Sequence, residues 1–126
     1  MKIRIQGNSI RLRLMQNEVA TLSETGSVED RLAFGPDAAT QHLVYRLEVA
    51  DVSAMSAFFR GGCVTVQLPD SDAREWISNQ VVGFEHDVES DGNEAIHLLV
   101  EKDFKCIDMR PGEEDCFPNP DDGATC

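Results

Sequence analysis

The sequence is short of positive charge and of long apolar runs, and each shortage removes a class of function. Eleven Lys and Arg stand against 23 Asp and Glu among 126 residues, a formal net charge of −12. Phosphate backbones are gripped by clustered basic side chains whose binding releases counterions. Nucleic acid is therefore not an expected partner, and an anionic membrane surface is disfavoured on the same ground. No stretch approaches the roughly 20 apolar residues of a membrane span, and the N-terminal stretch lacks the apolar core of about 7 to 15 residues that a secretory signal needs. The expected location is the cytoplasm.

Chemical motifs are scarce as well. The four cysteines include no C-x-x-C pair, the spacing that places two sulfurs in one zinc tetrahedron. There is no G-x-S-x-G elbow and no glycine-rich phosphate loop opening a helix. These gaps remove the enzyme families that motifs identify, so the protein is read as leaning away from catalysis. Hydrophobic residues at 41% and charged residues at 27% are nonetheless ordinary for a folded domain, and the length suits one compact core.

What the chain has is rhythm. "KIRIQGNSIRLRL", residues 2–14, alternates apolar Ile3, Ile5, Ile10, Leu12 and Leu14 with basic Lys2, Arg4, Arg11 and Arg13. Fifty-four residues later "SAFFRGGCVTVQL" repeats the apolar positions and loses most of the charges. Met1 meets Met55, Gly7 meets Gly61, Leu14 meets Leu68 and, farther on, Leu22 meets Trp76 and Val28 meets Val82. Each copy reads strand, turn, strand, short helix, strand, loop, strand.

Glycines mark the tight turns at "QGNS" and "RGGC". "QNEVATLSETG" predicts a short helix from Gln16 or Asn17 with Gly26 as a left-handed cap. "PDSDAREWISN" predicts a second, which buries Ala73, Trp76 and Ile77 and stops near Asn79. The return strands alternate through Leu43, Tyr45 and Leu47 in one copy and Ile96, Leu98 and Val100 in the other. Alternation implies antiparallel strands with one buried face. The expected fold is α+β, mainly antiparallel β, with about eight strands and two short helices in two pseudo-twofold repeats closed as a barrel or a sandwich. The globular domain is placed at 1–108, from repeats 1–54 and 55–108. An acidic tail carrying proline and cysteine follows at 109–126.

Charge is divided unevenly between the copies: six basic against seven acidic residues in 1–54, five against sixteen in 55–126. Any anion site therefore belongs to the first half. Arg4, Arg11 and Arg13, joined by Arg46, are the candidates to hold a phosphate or carboxylate. The competing and preferred reading is a solvated sheet face whose arginines pair with nearby carboxylates. Metal ligation is the weaker alternative, by Cys106 and Cys116 among acidic neighbours or by His86 beside Asp87 and Glu89. Cys63 at a strand start is expected to pack as a small hydrophobe.

The wording "KIRIQGNSIRLRL", "EV" and "ETG" in the first helix, "LVEKDFKC" near the end and the closing "FPNP" resembles an uncharacterised family of small bacterial proteins, a domain of unknown function. The resemblance implies no activity, cofactor or site residues. The leading expectation is a non-enzymatic binding or accessory protein whose partner is a basic protein surface. The alternatives are an enzyme or sensor for a small anion and a metal-binding protein. Open sheet edges also leave a homo-oligomer in play.

Overall fold

The computed structural model describes residues 1–78, 81–89, 94–104 and 117. Its elements are β1 (Lys2–Gln6), β2 (Ser9–Leu14), α1 (Gln16–Thr25), β3 (Ser27–Ala33), β4 (His42–Ala50), β5 (Ser56–Arg60), β6 (Cys63–Pro69), α2 (Asp70–Ser78), β7 (Gly83–Glu89) and β8 (Ala95–Lys102). Eight strands and two helices thus follow the order that the alternation predicts. They form two four-stranded sheets, a first in the order β1-β2-β8-β7 and a second in the order β3-β4-β6-β5. The arrangement is a sandwich-like α+β fold and not a closed barrel.

The hairpins are antiparallel, as alternating strands joined by tight turns must be. The centre of each sheet departs from that expectation: β2 runs parallel to β8 and β4 parallel to β6. The cause is an exchange between the copies. Each sheet takes one hairpin from the first half of the chain and one from the second, and the two hairpins meet through their second strands running the same way.

Backbone hydrogen bonds repeat the exchange. The Val44 N–H donates to the Gly62 carbonyl at 2.8 Å, and the His97 N–H donates to the Asn8 carbonyl at 3.0 Å. Farther along the same strands, Val49 donates to Gly26 at 2.8 Å and Lys102 to Val82 at 2.9 Å. One correspondence from the sequence shifts. Val28 lies opposite Leu47, and the residue opposite the equivalent Val100 is Phe84, not Val82. The connection from α2 to β7 is longer than the single Gly26 between α1 and β3, which moves the second copy out of the 54-residue register.

The turn glycines behave as their spacing predicts, with positive φ at Gly7 (54°), Gly61 (56°) and Gly62 (76°). Gly26 closes α1 in the left-handed region and donates its N–H to the Leu22 carbonyl at 2.9 Å. At the start of α1, the Met15 N–H donates to Glu18 Oε1 at 2.9 Å, which satisfies an end amide of the helix. The other oxygen of Glu18 meets the Met1 amino group.

One core gathers both sheets and both helices. Leu12 and Leu14 from β2, Leu47 from β4, Val66 and Leu68 from β6, and Leu98 and Val100 from β8 enclose Leu22 of α1 with Ala73 and Trp76 of α2. Met1 and Met55, matched by the repeat, are both buried. Fully burying each large apolar side chain contributes about 1.5 to 3 kcal/mol, so the apolar half of the opening rhythm is architectural. No helix among the described residues is long and apolar enough to cross a membrane.

Candidate functional site

Strand parity assigns the polar residues to faces. On β2 Leu12 and Leu14 are buried, so Arg11 and Arg13 project from the opposite, outer face of the first sheet. Cross-strand register puts Lys2 beside Arg13 and Arg4 beside Arg11, which makes a ribbon of four cations. The same face continues onto β8 and β7, where Glu101 neighbours Arg13 on one side and Gly83 on the other, and Asp87 neighbours His97. This outer face is therefore divided by charge: cations on β1 and β2, carboxylates Glu85, Asp87 and Glu89 on β7, and Glu101 and His97 between them.

Arg4, Arg11 and Arg13 thus do come together, with Lys2, around a shallow depression of about 230 Å³ that Ile3 also lines. Arg46 does not join them. It lies on β4 in the other sheet, where its guanidinium meets Glu29 at 3.3 Å. The four-arginine grouping is corrected accordingly, because a residue on a return strand of the first half is carried away by the hairpin exchange.

The cations are also partly engaged. Glu101 Oε1 sits 2.6 Å from Arg13 Nε and 3.4 Å from Arg11 Nε, and Lys2 Nζ reaches Asp103 at 2.8 Å. Among the described residues, Arg4 contacts only the Gln6 side chain, at 3.4 Å. The ribbon is an open sheet surface, with one acid shared between two arginines.

Beside it stands a group that sequence reasoning missed. His97 holds Asp87 Oδ1 at 2.5 Å through Nδ1 and Glu85 Oε1 at 2.8 Å through Nε2. With both ring nitrogens facing carboxylates, the hydrogen bond to Asp87 holds the imidazole above its usual pKa. Burial works slightly against this, and the Glu85 hydrogen bond adds to it. The predicted histidine was His86. Its side chain shares the parity of Phe84 and Val88, so it projects from the opposite face to Asp87 and Glu89, the neighbours with which the sequence groups it. The alternation of β7 and β8 was the available signal: it places Glu85, Asp87 and His97 on one face.

No group of three or more His, Cys, Asp or Glu among the described residues is arranged to hold a metal ion. Cys106 and Cys116 lie outside the described residues. Cys63 opens β6, as expected, with its sulfur 3.6 Å from the Thr65 hydroxyl. On the second sheet's outer face Thr65 is buried beside Phe58, over which the Arg60 guanidinium lies at 5.1 Å.

A second depression, of about 270 Å³, is lined by Leu14, Gln16, Val19, Lys102, Asp103 and Phe104, where β8 ends beside α1. It adjoins the basic ribbon through the pairing of Asp103 with Lys2.

Neither the curated proteins nor the solved structures contain a chain that matches this one. The model of a family of unknown function, DUF7009, matches residues 1–121, which include both hairpin pairs, both helices and the charge-divided face. The chain belongs to this family of unknown function.

Proposed function

We propose that the protein is a non-enzymatic binding protein, that its working surface is the outer face of the first sheet, and that its partner is a protein presenting basic side chains to the carboxylates of β7. The observation that carries this reading is the segregation of charge on one open face. Glu85, Asp87 and Glu89 project together from an edge strand, and the cations of the same sheet stand two and three strands away. An exposed row of like charge steers an oppositely charged partner and fixes its orientation.

Affinity capture at low and at high salt tests it, with the wild-type chain run beside a Glu85→Lys/Asp87→Lys variant. The expected result is a defined partner with a basic surface, held by the wild type at low salt, released at high salt and not held by the variant. Equal retention by wild type and variant, or no specific partner at either salt, overturns the reading.

A second reading draws on the depression lined by Lys2, Arg4, Arg11 and Arg13, which suits a small phosphate or carboxylate. Calorimetric titration with inorganic phosphate and with citrate measures it directly. An Arg4→Gln variant that binds either anion as well as the wild type removes it. The metal reading rests on Cys106 and Cys116 or on His86. Elemental analysis of protein purified without a metal-affinity tag tests it, and a metal content near zero ends it.

A further inference from the structure

We propose that the two edges of the first sheet recognise each other between copies of this chain, the β1 edge of one molecule pairing with the β7 edge of the next. The inference deepens the reading above, since it names a second copy's β1 as a basic partner of the β7 carboxylates.

Among the described residues, each edge strand of this sheet has a partner on one side: β1 pairs with β2, and β7 with β8. Their outer flanks present a row of backbone donors and acceptors, the usual template for strand addition. Direction is fixed by the ladders. β1 is antiparallel to β2, β2 is parallel to β8, and β8 is antiparallel to β7, so β1 and β7 run the same way. Copies set side by side in one orientation therefore meet edge to edge as a parallel pair.

The side chains of the two edges are complementary in charge on the outer face and mostly apolar on the inner one. On the outer face, Lys2 and Arg4 of β1 meet Glu85, Asp87 and Glu89 of β7. On the inner face, Ile3 and Ile5 meet Phe84, His86 and Val88. Ile5 leaves 59% of its surface to solvent, and a neighbouring strand would cover it.

The molecule already contains one parallel pair of this composition. In β2 against β8, Arg13 lies beside Glu101 on the outer face, at 2.6 Å, while Leu12 and Val100 are buried opposite each other within the sheet. Like edges are selected against. Two β1 strands would set Lys2 and Arg4 against their own copies, and two β7 strands would oppose carboxylates, both of which are unfavourable. Charge therefore picks unlike edges, a head-to-tail contact that leaves a free edge at each end and can add further copies. The net charge of −12 opposes close approach, so moderate salt that screens the long-range repulsion is the suitable medium.

Light scattering of the full chain during gel filtration, over a wide concentration range at about 0.15 M salt, tests the proposal. The expected mass rises with concentration above the 13.9 kDa of one chain. Two charge reversals separate pairing from misfolding. Lys2→Glu/Arg4→Glu makes both edges acidic and Glu85→Lys/Asp87→Lys makes both basic, so each variant alone should stay monomeric with an unchanged circular dichroism spectrum. Mixed in equal amounts they should assemble again, because each restores the other's missing complement. A wild type that stays at 13.9 kDa at every concentration overturns the inference, and so does a mixture of folded variants that fails to assemble. A monomeric wild type that still captures a different basic protein overturns this inference and leaves the proposed function standing.

Discussion

Trp76 and Val82 are tied across the end of α2: the indole N–H donates to the Val82 carbonyl at 3.1 Å, and the same oxygen accepts the Lys102 N–H at 2.9 Å. The indole is fully buried in the core, so one side chain both fills the space between the sheets and anchors the start of β7 to β8. Leu22, its counterpart on α1, fills the same position without a polar atom, and there the Gly26 cap does the anchoring.

Replacing Trp76 therefore separates two contributions. Trp76→Phe keeps most of the apolar volume and loses one hydrogen bond, with an expected cost of about 1 kcal/mol. Trp76→Ala opens a cavity as well and should cost about 3 to 5 kcal/mol. Urea unfolding curves followed by far-ultraviolet circular dichroism measure both.

Glu101 is the acid that two arginines share, and removing its charge frees them. Glu101→Gln is expected to lower stability by about 1 kcal/mol or less, as partly exposed ion pairs do. Phosphate binding in the depression beside Arg11 and Arg13 should rise in the same variant if that depression takes anions. Chemical denaturation and calorimetric titration give the two readings on one sample.

The pH dependence follows from His97. Its folded pKa lies above the ordinary value of 6.5, raised first by the Asp87 hydrogen bond. A group of this kind contributes its full stabilisation below the unfolded value and loses it as pH climbs through the folded one. Stability should thus fall modestly as pH rises above the ordinary histidine value of about 6.5, and the fall should be absent from His97→Gln. The effect is small because the ring is 43% exposed and salt screens it. Proton magnetic resonance of the ring should give a midpoint above 6.5 that Asp87→Asn lowers.

At Gly83 the backbone of β7 leaves no room for a side chain beside β8. A Cβ there would collide with the Val100 carbonyl oxygen and come within 2.8 Å of Glu101 Cα, both parts of a backbone that cannot swing aside. Gly83→Ala is expected to cost about 1 to 3 kcal/mol. Amides of β7 should exchange with solvent faster than in the wild type, while those of the second sheet should keep their order of protection.

The sequence made the faces of the strands legible because strand parity is a local property. Alternation put Leu12 and Leu14 inward and Arg11 and Arg13 outward, and glycine positions located the hairpins. It could not say which strands lie side by side. The parallel contact of β2 with β8 joins Leu12 to Val100, 88 residues apart in sequence, and no local pattern encodes that distance. The separation of Arg46 from the other arginines depends on which strands lie side by side, so it stayed hidden, whereas the partnership of His97 with Asp87 lies within one hairpin and within reach of its alternation.

The exchange of hairpins gives the chain the logic of a two-subunit protein written as one polypeptide. A half-length chain would own two hairpins and neither finished sheet, and it could complete both only by borrowing from another half. Cut between residues 54 and 55, the two pieces should therefore behave as obligate partners: unfolded apart and folded on mixing. The junction that joins them then serves as a tether that raises their local concentration, and it leaves each half free to diverge in charge while the shared interior holds them together.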